Sequence, residues 1–145
     1  MPDSANPPRV LGIDHVVLRV RDLERSLRFY SRVLGVEEER RVESAGLVQL
    51  RAGGALIDLV PVDGPLGRAG GPAPASQGRN VDHIALRIEP FDESALRAHL
   101  RNCGVEPGEI ANRYGAEGFG PSMYIRDPDG NVVELKGPPE RPAGE

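Results

Sequence analysis

An internal repeat constrains the fold of this 145-residue chain more than any other feature of its sequence. Residues 13–37 have the sequence IDHVVLRVRDLERSLRFYSRVLGVE, and residues 81–106 have VDHIALRIEPFDESALRAHLRNCGVE, with one extra residue in the second copy. Further along each copy, ALIDLV at 55–60 aligns with NVVELK at 131–136. A unit that occurs twice in so short a chain predicts two similar modules that pack against each other.

Each copy predicts the same order of elements. Alternating apolar residues at the start of the copy predict a strand. In the first copy Asp22 offers an N-cap to a helix that Gly35 ends, and Asp92 and Gly104 take these roles in the second. Short strands separated by glycine-containing turns follow. Each copy is therefore predicted to be a βαβββ module.

These elements predict an α+β fold in which two tandem βαβββ modules form a curved eight-stranded mixed sheet around a central cavity. Helices would cover one face of each sheet, which leaves the opposite face to line the cavity. The expected segments are a flexible N-terminal tail (1–10), the first module (11–61), a Gly/Pro/Ala-rich linker (62–80), the second module (81–137) and a flexible C-terminal tail (138–145).

Composition narrows the class of partner. The net charge of −4 and the pI of about 5.4 offer no basic surface for nucleic acid, so a small molecule is the expected partner. No apolar run approaches the roughly 20 residues that cross a bilayer, and the N-terminus lacks the features of a signal peptide. With Cys103 as its one cysteine, the chain is expected to be cytoplasmic and free of membrane contacts.

Four polar residues occupy equivalent places in the two copies: His15, Asp58, His83 and Glu134. Side chains alternate between the faces of a strand, so all four are expected to point away from the helices. If the modules close face to face, two imidazoles and two carboxylates converge. Such a set suits a divalent metal ion such as Zn, Ni, Co, Mn or Fe(II), and leaves positions where vicinal oxygens of a substrate can chelate.

The strand-borne Asp-His pairs at 14–15 and 82–83, together with IRDPDGNVVEL at 125–135, resemble the vicinal oxygen chelate superfamily, also called the glyoxalase/bleomycin resistance/dioxygenase group. The resemblance covers about residues 11–137. It implies metal ligands on the first and last strands of each module, which correspond here to His15, Asp58, His83 and Glu134. It also implies that the protein forms a homodimer.

One position departs from the glyoxalase I pattern. Members of that family usually carry Glu where Asp58 stands, and Asp is about 1.5 Å shorter in reach. The shorter Asp58 is therefore expected to miss the metal, to bind it through water, or to act as a base. Without it, His15, His83 and Glu134 resemble the three-ligand sets of fosfomycin-modifying enzymes and extradiol dioxygenases, and match the facial triad of non-haem iron oxygenases.

The resemblance implies a glyoxalase-like lyase or isomerase, in which Glu134 or Asp58 is the catalytic base that moves a proton next to a chelated oxygen. The alternatives are an extradiol-type dioxygenase and a metal-free binding protein similar to bleomycin resistance proteins. Candidate substrate contacts on the same face are Tyr124, Ser122, Gln49 and Arg126. Ser122 and Tyr124 resemble phosphonate contacts of fosfomycin resistance proteins, but Val17 stands where those relatives offer a hydroxyl, which argues against that drug as substrate.

Overall fold

The computed structural model of the chain describes residues 7–142 and residue 144, so most of the expected N-terminal tail lies outside the described residues. The first module contains β1 (His15–Val20), α1 (Leu23–Arg28) continued by a π-helical turn (Phe29–Val33), β2 (Glu37–Val42), β3 (Leu47–Ala52) and β4 (Ala55–Pro61). The second contains β5 (His83–Arg87), α2 (Glu93–Asn102), β6 (Ile110–Gly115), β7 (Gly118–Arg126) and β8 (Val132–Lys136), and a two-residue strand β9 (Arg141–Pro142) follows. The βαβββ order is confirmed in both copies.

The strands form two sheets with the same topology. Their orders are β1-β4-β3-β2 and β5-β8-β7-β6, and β9 pairs with β7. In each sheet the first and last strands of the module are parallel neighbours, whereas the other pairs are antiparallel. The α+β class and the eight mixed strands of the modules are thus confirmed, with the hydrogen-bonded ladders divided between two four-stranded units.

Both helices begin and end where the sequence predicts. The carboxylate of Asp22 accepts a hydrogen bond from the backbone N–H of Arg25 at 3.1 Å, and Asp92 accepts one from Ala95 at 3.0 Å. These bonds satisfy amide groups that have no partner inside the helix. Gly35 follows the first helix with φ of +67°, a conformation that favours glycine.

One apolar cluster connects the two modules. Each sheet buries the strand residues that face its helix, which are Leu18, Val20, Ile57 and Leu59 in the first module and Met123, Ile125, Val133 and Leu135 in the second. Each fully buried side chain of this kind contributes about 1.5–3 kcal/mol to folding. The predicted alternation of faces is therefore confirmed, and it leaves the opposite faces to carry the polar residues.

The helix of the first module also contacts the turn between β7 and β8. The hydroxyl of Tyr30 donates to the Asp127 carboxylate at 2.7 Å, and that of Ser26 donates to Asp129 at 3.2 Å. In return, His99 on α2 lies 2.8 Å from the carbonyl of Val33. These contacts fix the two modules against each other.

The segments expected to be flexible have partners of their own. The Arg19 guanidinium donates to the carbonyls of Gly67, Gly71 and Pro72, which ties the linker to β1. Downstream, Glu140 donates its backbone N–H to Phe119, next to the β9–β7 pair. Ordered structure therefore reaches into the segment expected to be the C-terminal tail.

Two further observations concern α2 and the membrane. The helical spacing of Leu96, Leu100 and Cys103 predicts a buried stripe on α2, but Cys103, which follows the end of the helix at Asn102, is exposed. Along residues 7–142, no helix combines the length and the apolar character that crossing a bilayer requires.

Candidate functional site

The first module places His15 and Asp58 on one face of its sheet. Asp58 pairs in register with Val17, two residues after His15, so the two side chains share a face on neighbouring strands. The carboxylate is buried, at 4% exposure, and both its oxygens lie 3.2 Å from the Gln49 side-chain amide. Gln49 is thus the hydrogen-bond donor that orients Asp58.

The second module repeats this arrangement with His83 and Glu134. Glu134 pairs in register with Ala85, two residues after His83, and with Tyr124 on its other side. His83 Nε2 lies 3.4 Å from Glu134 Oε1, and the rings of His83 and Tyr124 meet edge to face with centroids 5.5 Å apart. Burial, followed by the charge of Glu134, raises the pKa of Tyr124, so this phenol stays protonated beside the carboxylate of its register partner.

An aspartate orients each imidazole. Nδ1 of His15 lies 2.7 Å from Asp14, and Nδ1 of His83 lies 2.7 Å from Asp82. Since an ionised carboxylate can only accept, each Nδ1 donates to its aspartate, which in a neutral imidazole leaves Nε2 as the acceptor nitrogen. The hydrogen bond to Asp14, aided by the Asp58 charge, raises the pKa of His15, and the bond to His83 lowers the pKa of Asp82.

The four candidate ligands stay in two pairs within one chain. Among the described residues, no three His, Cys, Asp or Glu side chains come together in a group that could hold a metal ion. Each module instead offers one imidazole nitrogen and one carboxylate oxygen. The sequence left open whether a site forms in one chain or between two, and a single chain supplies only half of the donor set at each place.

The donor chemistry of each pair fits a divalent transition metal. Two donors held about 2.1 Å from one ion lie roughly 3.0–3.4 Å apart, and the His83–Glu134 separation of 3.4 Å falls in this range. Carboxylates that bind Nδ1 of a metal-ligating histidine are common outer-sphere partners, and Asp14 and Asp82 match that role. Two buried carboxylates on an open sheet face are costly unless something charged lies against them.

The expected substrate contacts have different surroundings. Ser122 is fully buried and accepts a hydrogen bond from Arg113 at 2.6 Å, while the same guanidinium lies 4.4 Å from the centre of the Tyr124 ring. Arg126 is exposed and donates to the carbonyl of Gly130. Gln49 donates to the Asp58 carboxylate, and Tyr124 lies beside Glu134 as its register partner.

Sequence reasoning missed two arginines that lie behind these residues. Arg113 contacts Tyr124 in the second module, and Arg40 donates to the Gln49 side chain at 3.0 Å in the first. Each candidate carboxylate is thus connected to an arginine through one polar side chain. The aspartates at 14 and 82 were also given no role, although an Asp before the histidine in both copies was a visible indication of one.

The large cavity of the described chain lies elsewhere. Its volume is about 1020 Å³, and its walls are α1 with its π-helical turn, residues 102–108, and the end of β7. Tyr124 and Arg126 line it, but none of the four candidate metal ligands does. The site expected at a central cavity is therefore an open sheet face in each module.

Comparison with curated proteins finds relatives along most of the chain. The chain is similar to virulence protein STM3117 of Salmonella typhimurium (29% identity, covering 85% of this chain and 81% of the relative). It is also similar to a probable lactoylglutathione lyase of Vibrio cholerae (28%, covering 83% and 86%). Similarity to the catechol-2,3-dioxygenase of Bacillus subtilis (27%) covers 85% of this chain and 40% of that enzyme.

Solved structures share the fold. An integron cassette protein from the mobile metagenome of V. cholerae matches with a TM-score of 0.70 and 29% identity, over 90% of this chain and 98% of that one. A mutant of the fosfomycin resistance protein FosX from Listeria monocytogenes, complexed with Mn(II) and a dihydroxypropylphosphonic acid, matches with a TM-score of 0.63 over 88% of this chain and 90% of that one. At 23% identity, this second likeness concerns the fold alone.

A family model covers nearly the whole folded chain. The model of the Glyoxalase/Bleomycin resistance protein/Dioxygenase superfamily matches residues 12–135, which include both modules, both histidine strands and the Asp-Pro-Asp-Gly turn. The chain belongs to this superfamily.

Proposed function

We propose that this protein is a metal-dependent enzyme of the glyoxalase-like lyase or isomerase type, active as a homodimer in the cytoplasm. One observation carries the proposal: each module holds a histidine and a buried carboxylate in matched geometry, and one chain alone brings together only two of these four groups. In a symmetric dimer, the first module of each chain would dock onto the second module of the other. Two complete sets of four groups would then form.

An exposed apolar segment supports dimerisation. Val10, Leu11 and Ile13 are each at least 80% exposed, directly before β1, and Val17 on the candidate site face is 45% exposed. A run of large apolar side chains in water is unfavourable and typical of an interaction surface. This segment borders the first half-site, which is the pair His15 and Asp58, and the second module of a partner chain would dock there. The second half-site is the pair His83 and Glu134.

His15, His83 and Glu134 would hold the metal, with Asp58 as the carboxylate that moves the proton. When bound, the metal polarises vicinal oxygens of the substrate as a Lewis acid. Glu134 is fixed by Tyr124 and near His83, whereas Asp58 is shorter and held by Gln49. A buried carboxylate that is oriented but not fully neutralised is suited to accept a proton from carbon.

A dioxygenase is the second candidate, and the length of Asp58 favours it. Two histidines and Glu134 form the donor set of a 2-His-1-carboxylate iron site, which binds Fe(II). The relative named as a catechol-2,3-dioxygenase agrees with this alternative. The two candidates differ in their need for O2, so they can be separated directly.

The test begins with elemental analysis of protein purified without added metal. The protein is then assayed with methylglyoxal plus glutathione under nitrogen, and with a panel of catechols under air. Turnover without O2 supports the proposal, and O2 uptake with a catechol supports the dioxygenase. A protein that takes up none of Zn, Ni, Co, Mn or Fe(II) would refute both and leave the metal-free binding protein.

Mixing two variants tests whether the site is shared between chains. His15→Ala and His83→Ala chains each lack one half-site, so neither homodimer binds metal. If the proposal is right, unfolding and refolding them together produces heterodimers with one intact site, and about a quarter of all sites recover metal. No recovery, with heterodimers demonstrated by mass spectrometry, would show that the halves do not meet across the dimer.

A further inference from the structure

We propose that the cavity between α1 and residues 102–108 is a second binding site, for a small phosphate-type anion that carries an apolar group. The cavity, of about 1020 Å³, has walls from both modules, and neither pair of candidate metal ligands lines it. For brevity it is called the arginine cavity, after Arg25, Arg28, Arg32 and Arg126 in its walls. This inference is independent of the proposed enzymatic activity.

The positive charge of the arginine cavity is concentrated on one helical face. Arg25, Arg28 and Arg32 are spaced three and four residues apart, so their side chains lie on the same side of α1 and its π-helical turn. Like charges at this spacing repel each other and destabilise a helix. An anion bound among them would offset this repulsion, because each guanidinium group would be attracted to it.

These three guanidinium groups have no protein partner among the described residues. Five other arginines pair with carboxylates, namely Arg41, Arg51, Arg79, Arg87 and Arg97. The side chains at 25, 28 and 32 form neither ion pairs nor hydrogen bonds there, although the whole chain has an excess of acidic residues. Their donors are therefore available to a ligand.

Acidic groups do not neutralise the arginine cavity. Asp127 lines it, but its carboxylate already accepts hydrogen bonds from the Tyr30 hydroxyl, the Asn131 side chain and two backbone amides. With Glu106, the lining holds two carboxylates against four arginines, and only Glu106 has no hydrogen-bond donor among the described residues. The balance favours an anion with several oxygens, because guanidinium groups bind phosphate-type oxygens in a bidentate manner.

Apolar side chains form part of the remaining walls, beside Asn102, Cys103 and Tyr124. Phe29 and Ile125 are buried beneath the arginines, at 6% and 2% exposure, and Val33, Val105 and Val132 lie partly buried beside them. Sites for organic ligands typically combine such apolar walls with a few charged groups that set orientation. We therefore infer a phosphate ester or phosphonate with an attached ring or alkyl group rather than a bare inorganic ion.

Calorimetric titration of metal-stripped protein with phenyl phosphate tests the site. Saturable binding is expected. The dissociation constant should rise about tenfold in Arg28→Gln, because one charge-assisted hydrogen bond is lost, and further in the triple variant of Arg25, Arg28 and Arg32 to Gln. Arg101→Gln is the matched control, because this arginine is also exposed and unpaired in the described chain but lies outside the cavity lining. Its affinity should stay within about twofold of wild type.

Two further arms locate the ligand and define its class. Arg113→Gln removes the guanidinium that lies over the Tyr124 ring beside Glu134, so unchanged binding in this variant supports the arginine cavity as the place of binding. Inorganic phosphate is expected to bind at least about fivefold more weakly than phenyl phosphate, as loss of a buried ring predicts. The proposal is overturned if no saturable binding occurs, if the triple variant binds like wild type, or if inorganic phosphate binds equally well.

Discussion

The two half-sites of this chain share a backbone arrangement but differ in how tightly their side chains are held. In the second module His83 and Glu134 are 3.4 Å apart, and Tyr124 contacts both. In the first module Asp58 is one methylene shorter, and its two oxygens are both engaged by Gln49. In the second half-site the two candidate donors thus lie close together, whereas in the first the carboxylate is held by Gln49.

This difference predicts separate roles for the two modules of the duplicated fold. The repeat places the four groups at equivalent register positions, so the backbone does not distinguish them. Side-chain length and a single neighbour, Gln49 or Tyr124, make the distinction. We therefore expect the second module to anchor the metal and the first to supply the carboxylate that accepts the proton.

The largest expected effect separates the two carboxylates. Glu134→Ala should weaken binding of Zn or Mn by more than about 100-fold, because even outer-sphere partners of a metal ligand contribute 10–100-fold. Asp58→Ala should weaken metal binding by less than about 10-fold while reducing turnover by about 100-fold or more, as expected for loss of a general base. Calorimetric titration and steady-state assays measure the two quantities separately.

Gln49→Ala is the control for Asp58, since it frees the carboxylate without removing it. If Asp58→Ala abolishes metal binding as completely as Glu134→Ala does, the two modules contribute equally and the proposed separation of roles is wrong.

The contacts at the module junction show a similar contrast. Tyr30 and His99 each stand five residues before the glycine that ends their helix, and each contacts the other module. Tyr30 is fully buried against the Asp127 carboxylate, whereas His99 is exposed. Tyr30→Phe should lower the free energy of unfolding by about 1.5–3 kcal/mol, the usual contribution of a hydrogen bond to a charged group.

His99→Ala should change stability by about 0.5 kcal/mol or less, as exposed substitutions generally do. Urea denaturation followed by circular dichroism measures both changes. If the two variants lose equal amounts of unfolding free energy, Tyr30 and His99 stabilise the junction equally, and Tyr30 is not the main contributor.

Lengthening Asp58 should make the two half-sites alike. Asp58→Glu adds the methylene that the second module already has, so this side chain can reach a metal held by the other three groups. We expect metal affinity to rise about tenfold, equivalent to 1.4 kcal/mol. Glu134→Asp is the reciprocal variant and should bind metal more weakly; a Glu at 58 that leaves the affinity unchanged would argue that reach is not what limits Asp58.

Much of this arrangement follows from the sequence because it depends on periodicity. Alternation along the strands places His15, Asp58, His83 and Glu134 on the faces opposite the helices, and the structure places them there. Caps at Asp22 and Asp92 and the glycine ends of the helices follow from local backbone chemistry alone. These features need no knowledge of how the modules are oriented.

The rest depends on contacts between distant residues, which a single sequence does not encode locally. Nothing in the pattern around Arg113 indicates that its guanidinium lies over Tyr124 and binds Ser122. The arginine cavity likewise exists only because α1 lies opposite residues 102–108, more than seventy positions along the chain. Whether the half-sites meet within a chain or between chains is a question of the same kind.

The last expected effect concerns the stability that Tyr30 contributes at alkaline pH. Burial, with Asp127 adding, raises the pKa of this phenol far above its ordinary value, so the folded chain keeps the proton while the unfolded chain releases it near pH 10. Above that pH the folded state binds more protons than the unfolded state, and stability falls by about 1 kcal/mol between pH 10 and pH 11. Midpoints of urea denaturation, measured from pH 8 to pH 11, follow this loss of stability. Wild type and Tyr114→Phe, whose tyrosine is exposed, should show the full fall, and Tyr30→Phe should show a shallower one. A pH dependence unchanged in Tyr30→Phe would show that its proton is not what couples the junction to folding.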